Sequence, residues 1–169
     1  GYFKIDNWAS FITCHGITAK SFIDYYQRMI NTKYPVNIAL CLVTQMNVDS
    51  NLLDTRYTKT CLEYLEKYPD VSPILVCQCL PGIKDRIKLT PGVSLEQDWI
   101  DGDQYRSVET AITEQCNHII IVGSAIIYAD NPGEEAVLFA KKSWECFQES
   151  YPDLIENVKK FKEDYLNKN

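Results

Sequence analysis

Two short, mostly apolar runs, Ile87-Lys88-Leu89 and Ile119-Ile120-Ile121-Val122, each stop at a turn built on glycine. The turns read Thr90-Pro91-Gly92-Val93 and Gly123-Ser124-Ala125. Short β-branched runs closed by Gly or Pro predict strands buried on both faces, and such strands belong to parallel sheets covered by helices. Residues 11–14, 37–44 and 73–80 have the same character. Helical spacing fills the intervals. Residues 19–30 place Phe22, Tyr25, Tyr26 and Met29 on one face, residues 54–68 run until Pro69-Asp70 breaks them, and residues 107–114 and 132–150 follow. Five strand–helix units in series predict parallel strands joined by right-handed crossovers.

Composition narrows the setting. A chain of 169 residues, 46% apolar, can bury one sizeable core and is too short for two. Seven cysteines, an odd number scattered through strand and helix signals, predict reduced thiols rather than a disulfide framework. Cys77 and Cys79 alternate along a strand and so share a face; the spacing alone favours buried thiols over a metal or redox pair, and no metal site or cofactor is expected. A net charge of −6 argues against nucleic acid or an anionic membrane surface as partner. No apolar run approaches the ~20 residues of a membrane span, and the first residues are not leader-like, so an intracellular, cytoplasmic setting is expected.

The turns after the last two strands resemble those of orotidine 5'-monophosphate decarboxylase, the last enzyme of pyrimidine nucleotide synthesis. That family's seventh strand ends in Thr-Pro-Gly-Val, here Thr90 to Val93, and the following loop closes on Gly-Gln-Gln-Tyr, here Gly102-Asp103-Gln104-Tyr105. Its eighth strand reads Ile-Ile-Ile-Val-Gly-Arg-Gly, here Ile119 to Ala125. Trp8-Ala9, His15-Gly16, Tyr57-Thr58-Lys59 and Trp144-Glu145 match in the same order. The resemblance covers most of the chain. It implies a partial TIM (β/α) barrel of about five parallel strands, corresponding to strands four to eight over residues 1–152, with a helical extension over 153–169. The part matched is the C-terminal part of the domain, as in eukaryotic UMP synthase.

By the same resemblance, a nucleotide phosphate would sit in the cradle of Pro91, the Gly102–Tyr105 loop end and the Gly123 turn, with Asn47 bonding a base edge. The ligands themselves have changed. Ser124 stands where the family has a phosphate-gripping arginine, and Asp103 stands where it has a glutamine. A hydroxyl replaces a fraction of a bidentate guanidinium–phosphate pair, and a carboxylate beside a phosphate adds repulsion. Ala125 replaces a small glycine and is expected to crowd the turn. The family's Asp-x-Lys-x-x-Asp motif, whose lysine protonates the carbon that loses carbon dioxide, has no counterpart, since no aspartate here is followed two residues later by lysine. The vestigial nucleotide site is therefore Asn47, Pro91, Asp103, Tyr105, Gly123 and Ser124, and no catalytic residue is assigned.

Other titratable residues carry less. His15 ends a strand as a base would, but the resemblance makes it structural; His118 is expected in solvent; Glu134 and Glu135 suit a helix start; Asp101 and Asp103 are expected to face water. Five strands leave open edges at residues 11–14 and 119–122, which favours pairing with another chain or a second copy that completes the barrel. Leu154, Ile155, Val158, Phe161 and Tyr165 line one side of a C-terminal helix that packs on its own domain or docks a partner. Three functions follow: a degenerate, non-catalytic structural or interaction subunit; the C-terminal fragment of a split or processed decarboxylase; or a module that binds a pyrimidine or nucleotide weakly without chemistry.

Overall fold

The computed structural model describes residues 2–30, 38–48, 50–69, 72, 74–95, 99–100 and 103–166. Strands β1 (Phe11–His15), β2 (Ala39–Val43), β3 (Ile74–Val76), β4 (Ile87–Thr90) and, later in the chain, β9 (Ile119–Ile120) form one parallel sheet in the order β1-β2-β3-β4-β9. This is the α/β part-barrel that the resemblance implied, with β1 and β9 as its two edges. Between β4 and β9 lie β5 (Val93–Ser94), paired with β8 (Arg106–Ser107), and a small hairpin of β6 (Trp99–Ile100) and β7 (Asp103–Gln104). The helices are α1 (Ala19–Ile30), α2 (Thr55–Lys67), a one-turn α3 (Ser124–Ile127), α4 (Pro132–Ser150) and α5 (Pro152–Leu166).

Register assigns the two faces, because paired residues of a parallel ladder stand on the same side. Leu40, Leu42 and Leu75 point toward the helices, where Ile23 of α1 and Cys61 and Leu65 of α2 bury them. Each such side chain contributes about 1.5–3 kcal/mol of burial. Of the aromatic face expected on α1, Tyr26 packs here, while the side chains of Phe22, Tyr25 and Met29 lie outside the described residues. On the opposite face Cys41, Val43, Ile74 and Val76 close a central cluster. Toward the edges the same face is bare: Phe11, Ile87, Ile119 and Ile121 are exposed.

Local signals explain the helix starts. Asp54 caps α2 by accepting from the Tyr57 amide at 2.8 Å. Asn131 and Pro132 open α4, and Glu134 and Glu135 fall in its first turn, where their charge complements the helix dipole. All seven cysteines are free thiols. No helix among the described residues is long and apolar enough to cross a membrane.

Three expectations need correction. Residues 77–86, between β3 and β4, form no helix, so the units are not all strand–helix pairs. Lys88 fills part of that gap: its side chain is 2% exposed and Nζ donates to the carbonyls of Leu80 (3.3 Å) and Ile83 (3.0 Å) in the connecting loop. The helix expected over 107–114 is largely a π-helical turn, Thr110–Glu114, in which the Gln115 amide reaches the Thr110 carbonyl. Cys77 and Cys79 do not share a setting, because the strand ends at Val76 and leaves Cys77 buried and Cys79 exposed.

Helix α5 settles on neither of its expected roles by contact alone, but its stripe is open. Leu154, Val158 and Phe161 are exposed, Phe161 by 72%, and the Tyr165 side chain lies outside the described residues. Phe161→Asp should therefore change the urea unfolding free energy by less than ~0.5 kcal/mol while weakening any association. A loss well above that would show that the ring packs at home.

Candidate functional site

Sites in β/α barrels sit beyond the carboxyl ends of the strands. Here those ends are dressed with polar side chains. Thr44, just past β2, donates its hydroxyl to the Val76 carbonyl at 3.1 Å, and Thr58 of α2 donates to the Thr44 carbonyl at 2.9 Å. Tyr57 ties two strand ends, donating to the Val43 carbonyl (2.8 Å) while accepting from the Gly16 amide (2.7 Å). Burial drives the Tyr57 phenol pKa well above its usual value. The Gln45 carboxamide oxygen accepts from the amides of Gln78 and Cys79, both at 2.9 Å, and so finishes β3. Asn117 donates to the carbonyls of Gln78 (2.8 Å) and Ala111 (3.0 Å) from a fully buried position.

The residues expected at the cradle lie in the segments that follow β2, β4 and β9 and in the stretch from β7 to β8. The turn after β4 leans on Asn47: at Gly92, φ is +72° and an added Cβ would lie 2.5 Å from Asn47 Nδ2, so only glycine fits. Tyr105 reaches across the mouth to Ser124, the hydroxyl oxygens standing 3.1 Å apart. Gly123, beside them, has open space where a side chain would be. The Pro91 carbonyl is turned inward and accepts from Arg106 at 2.7 Å. Ala125 packs against the cluster of Val93, Val108, Ile112 and Phe139, so its methyl belongs to the core rather than crowding the turn. Asp103 lies in β7 opposite Ile100, but its side chain is outside the described residues, as is Asp101 altogether.

Arg106 and Gln78 were not singled out by sequence. Arg106 follows Tyr105 directly and, by the alternation of β8, turns to the opposite side, into the protein. A lone arginine in a polar stretch gives no sign of burial. His118 is a correction. Its Nδ1 accepts from the Lys88 amide at 3.0 Å and its ring lies 4.7 Å from Tyr151, so it is half-buried rather than solvated. His15 is exposed at the end of β1. No group of three or more potential metal ligands is found among the described residues. A concavity of about 830 Å³ lies at the other end of the sheet, around Ile87, Ile119, Trp144, Phe147 and Leu154. It is mostly apolar and at the wrong end for barrel chemistry.

The profile of the orotidine 5'-phosphate decarboxylase / HUMPS family matches residues 1–139. The chain belongs to that family. It is 27% identical over 151 residues to uridine 5'-monophosphate synthase of Caenorhabditis elegans, covering 87% of this chain and 30% of the relative. Against orotidine 5'-phosphate decarboxylase of Cyberlindnera jadinii it is 25% identical over 157 residues, covering 89% of this chain and 59% of the relative. The counterpart in Hypocrea atroviridis is 27% identical over 130 residues, 68% of this chain and 34% of the relative. This member of the decarboxylase family thus spans between 30% and 59% of the length of these relatives.

His118 gives the region a pH signature. Burial, and then the nearby Lys88 charge, hold its pKa below the ordinary 6.5, and protonation at Nδ1 would also break the bond from the Lys88 amide. The unfolded chain therefore binds a proton first on acidification, so the stability His118 contributes is present above pH 6.5 and lost as pH falls toward its folded pKa. Urea midpoints should drop over that window in the native chain, and His118→Gln should flatten the drop. Equal pH slopes in the two proteins would refute the assignment.

Proposed function

We propose that this chain is a degenerate member of the decarboxylase family, non-catalytic, and a structural or interaction subunit of a larger assembly. The observation that carries the reading is the hydroxyl pair of Tyr105 and Ser124 at the mouth of the cradle. Where the family resemblance calls for a guanidinium on a phosphate dianion, two neutral hydroxyls satisfy each other. The resemblance puts Asp103 beside them, a carboxylate where an amide would serve a phosphate. This chain carries no Asp-x-Lys pair to supply the proton on carbon.

The open surfaces support the interaction role. Strand edges unpaired among the described residues, the exposed Phe11, Ile119 and Ile121, and the apolar groove by Trp144 leave apolar surface uncovered. Another protein chain, or a second copy of this one, completes the sheet. A second reading is favoured by the span of the match. As the C-terminal fragment of a split or processed orotidine 5'-phosphate decarboxylase, the chain would recover the missing lysine from its other half. It would not recover the arginine at Ser124, which is why the first reading is preferred.

Purified chain should show no ultraviolet loss of orotidine monophosphate above that of a mock preparation. Uridine monophosphate should bind weakly by calorimetry, and Ser124→Arg with Asp103→Gln should tighten it, each restored charge-assisted contact contributing on the order of 1.5–3 kcal/mol. Turnover proportional to protein concentration, or micromolar binding by the unaltered chain, would overturn the proposal.

A further inference from the structure

Helix α5 is an arm. Of its described side chains only Ile155 is partly buried; the others, from Pro152 to Glu163 and at Leu166, are exposed. A helix of 15 residues is marginal in water without tertiary packing. This one also carries an apolar stripe, Leu154, Val158 and Phe161 at i, i+4 and i+7, and the stripe is open to solvent.

A groove of matching character lies on the same chain. The concavity of about 830 Å³ at the amino-terminal ends of β4 and β9 is lined by Ile87 and Ile119 of those strands and by Trp144 and Phe147 of α4. The rings of Trp144 and Phe147 stack with their centroids 5.9 Å apart and make a flat apolar wall. Of the stripe, Leu154 lines this groove; Val158 and Phe161, one and two turns further along the arm, do not. A chain that presents both an apolar groove and an apolar arm that its own groove does not hold is self-complementary, which is what an isologous contact about a twofold axis requires. Taking about 150–250 Å² for a fully exposed large side chain, Leu154, Val158, Phe161, Ile87, Ile119 and Trp144 leave roughly 600 Å² bare on each copy, and two copies covering each other would bury about 1,200 Å², which reaches the range of specific interfaces.

We propose that this face binds a second copy of the chain by reciprocal exchange, the α5 arm of each copy lying in the groove beside Trp144 of the other. Phe161 is the anchor, an exposed aromatic ring that a groove walled by Trp144 and Phe147 would desolvate. Exchange of an identical element lets each copy supply the packing that the other's arm lacks. The inference rests on reading the chain as an interaction subunit and names the partner; the contact uses α4 and α5 and the amino-terminal ends of β4 and β9 rather than strand pairing at the sheet edges.

Sedimentation equilibrium of full chains at micromolar concentration is the test. The native chain should run at about twice the 19.5 kDa monomer. Phe161→Asp on the arm and Trp144→Glu in the groove should each raise the dimer dissociation constant by more than about tenfold while the chains stay folded by near-ultraviolet circular dichroism. Mixed in equal amounts, the two variants should recover association, because an intact arm on one then meets an intact groove on the other. If Trp144→Glu fails to fold, Ile87→Glu on the strand side of the groove takes its place. A native chain that is a monomer, association that survives Phe161→Asp, or a mixture no heavier than its parts would overturn the exchange. Association that survives Phe161→Asp would leave the interaction reading standing through the strand edges, whereas turnover of orotidine monophosphate would sink that reading and leave the exchange.

Discussion

Everything in this molecule hangs on a parallel ladder that, among the described residues, ends in β1 on one side and β9 on the other. Parallel strands are stable when both faces and both edges are covered, and here one face is covered by α1 and α2 while the other is covered only at its centre. Cys41, Val43, Ile74 and Val76 make that centre dry; Phe11 on β1 and Ile119 on β9 mark where cover runs out. Leu154 of α5 and the groove beside Trp144 lie by Ile119, at the β9 edge where a further strand would pair.

The same ladder fixes what the strand ends can do. In a working barrel the backbone groups beyond the strands face a ligand. Here Gln45, Thr44, Tyr57, Asn117 and Arg106 turn back onto those groups and satisfy them from within. Such a network rigidifies the floor and leaves little polar capacity pointing outward. What remains outward is the Tyr105–Ser124 pair. Two buried cations, Lys88 and Arg106, are likewise held by neutral oxygen acceptors among the described residues.

Local sequence made much of this legible. The isoleucine run before Gly123, the Asp54 cap and the Asn131-Pro132 start all fix structure within a few residues, and Gly92 announced a turn that Asn47 indeed leaves no room to fill. The positions read poorly are those where a distant contact decides. Lys88 sits in an apolar strand and is buried because loop carbonyls solvate its amine; His118 is held by the amide of a neighbouring strand; Arg106 is drawn inward by four acceptors from three other segments. Past Cys77, whose amide still bonds the Leu89 carbonyl of β4, Gln45 takes the amides of Gln78 and Cys79 that a longer strand would have offered to a neighbour.

The incomplete ladder is the central claim, and sedimentation equilibrium of the purified full chain at micromolar concentration tests it most directly. The account expects species heavier than the 19.5 kDa monomer, or a chain that stays in solution only with a partner that completes its sheet. A stable, soluble monomer with no partner present would contradict it, and would mean that the bare edges and the face around Phe11 and Ile119 are tolerated in water as they stand.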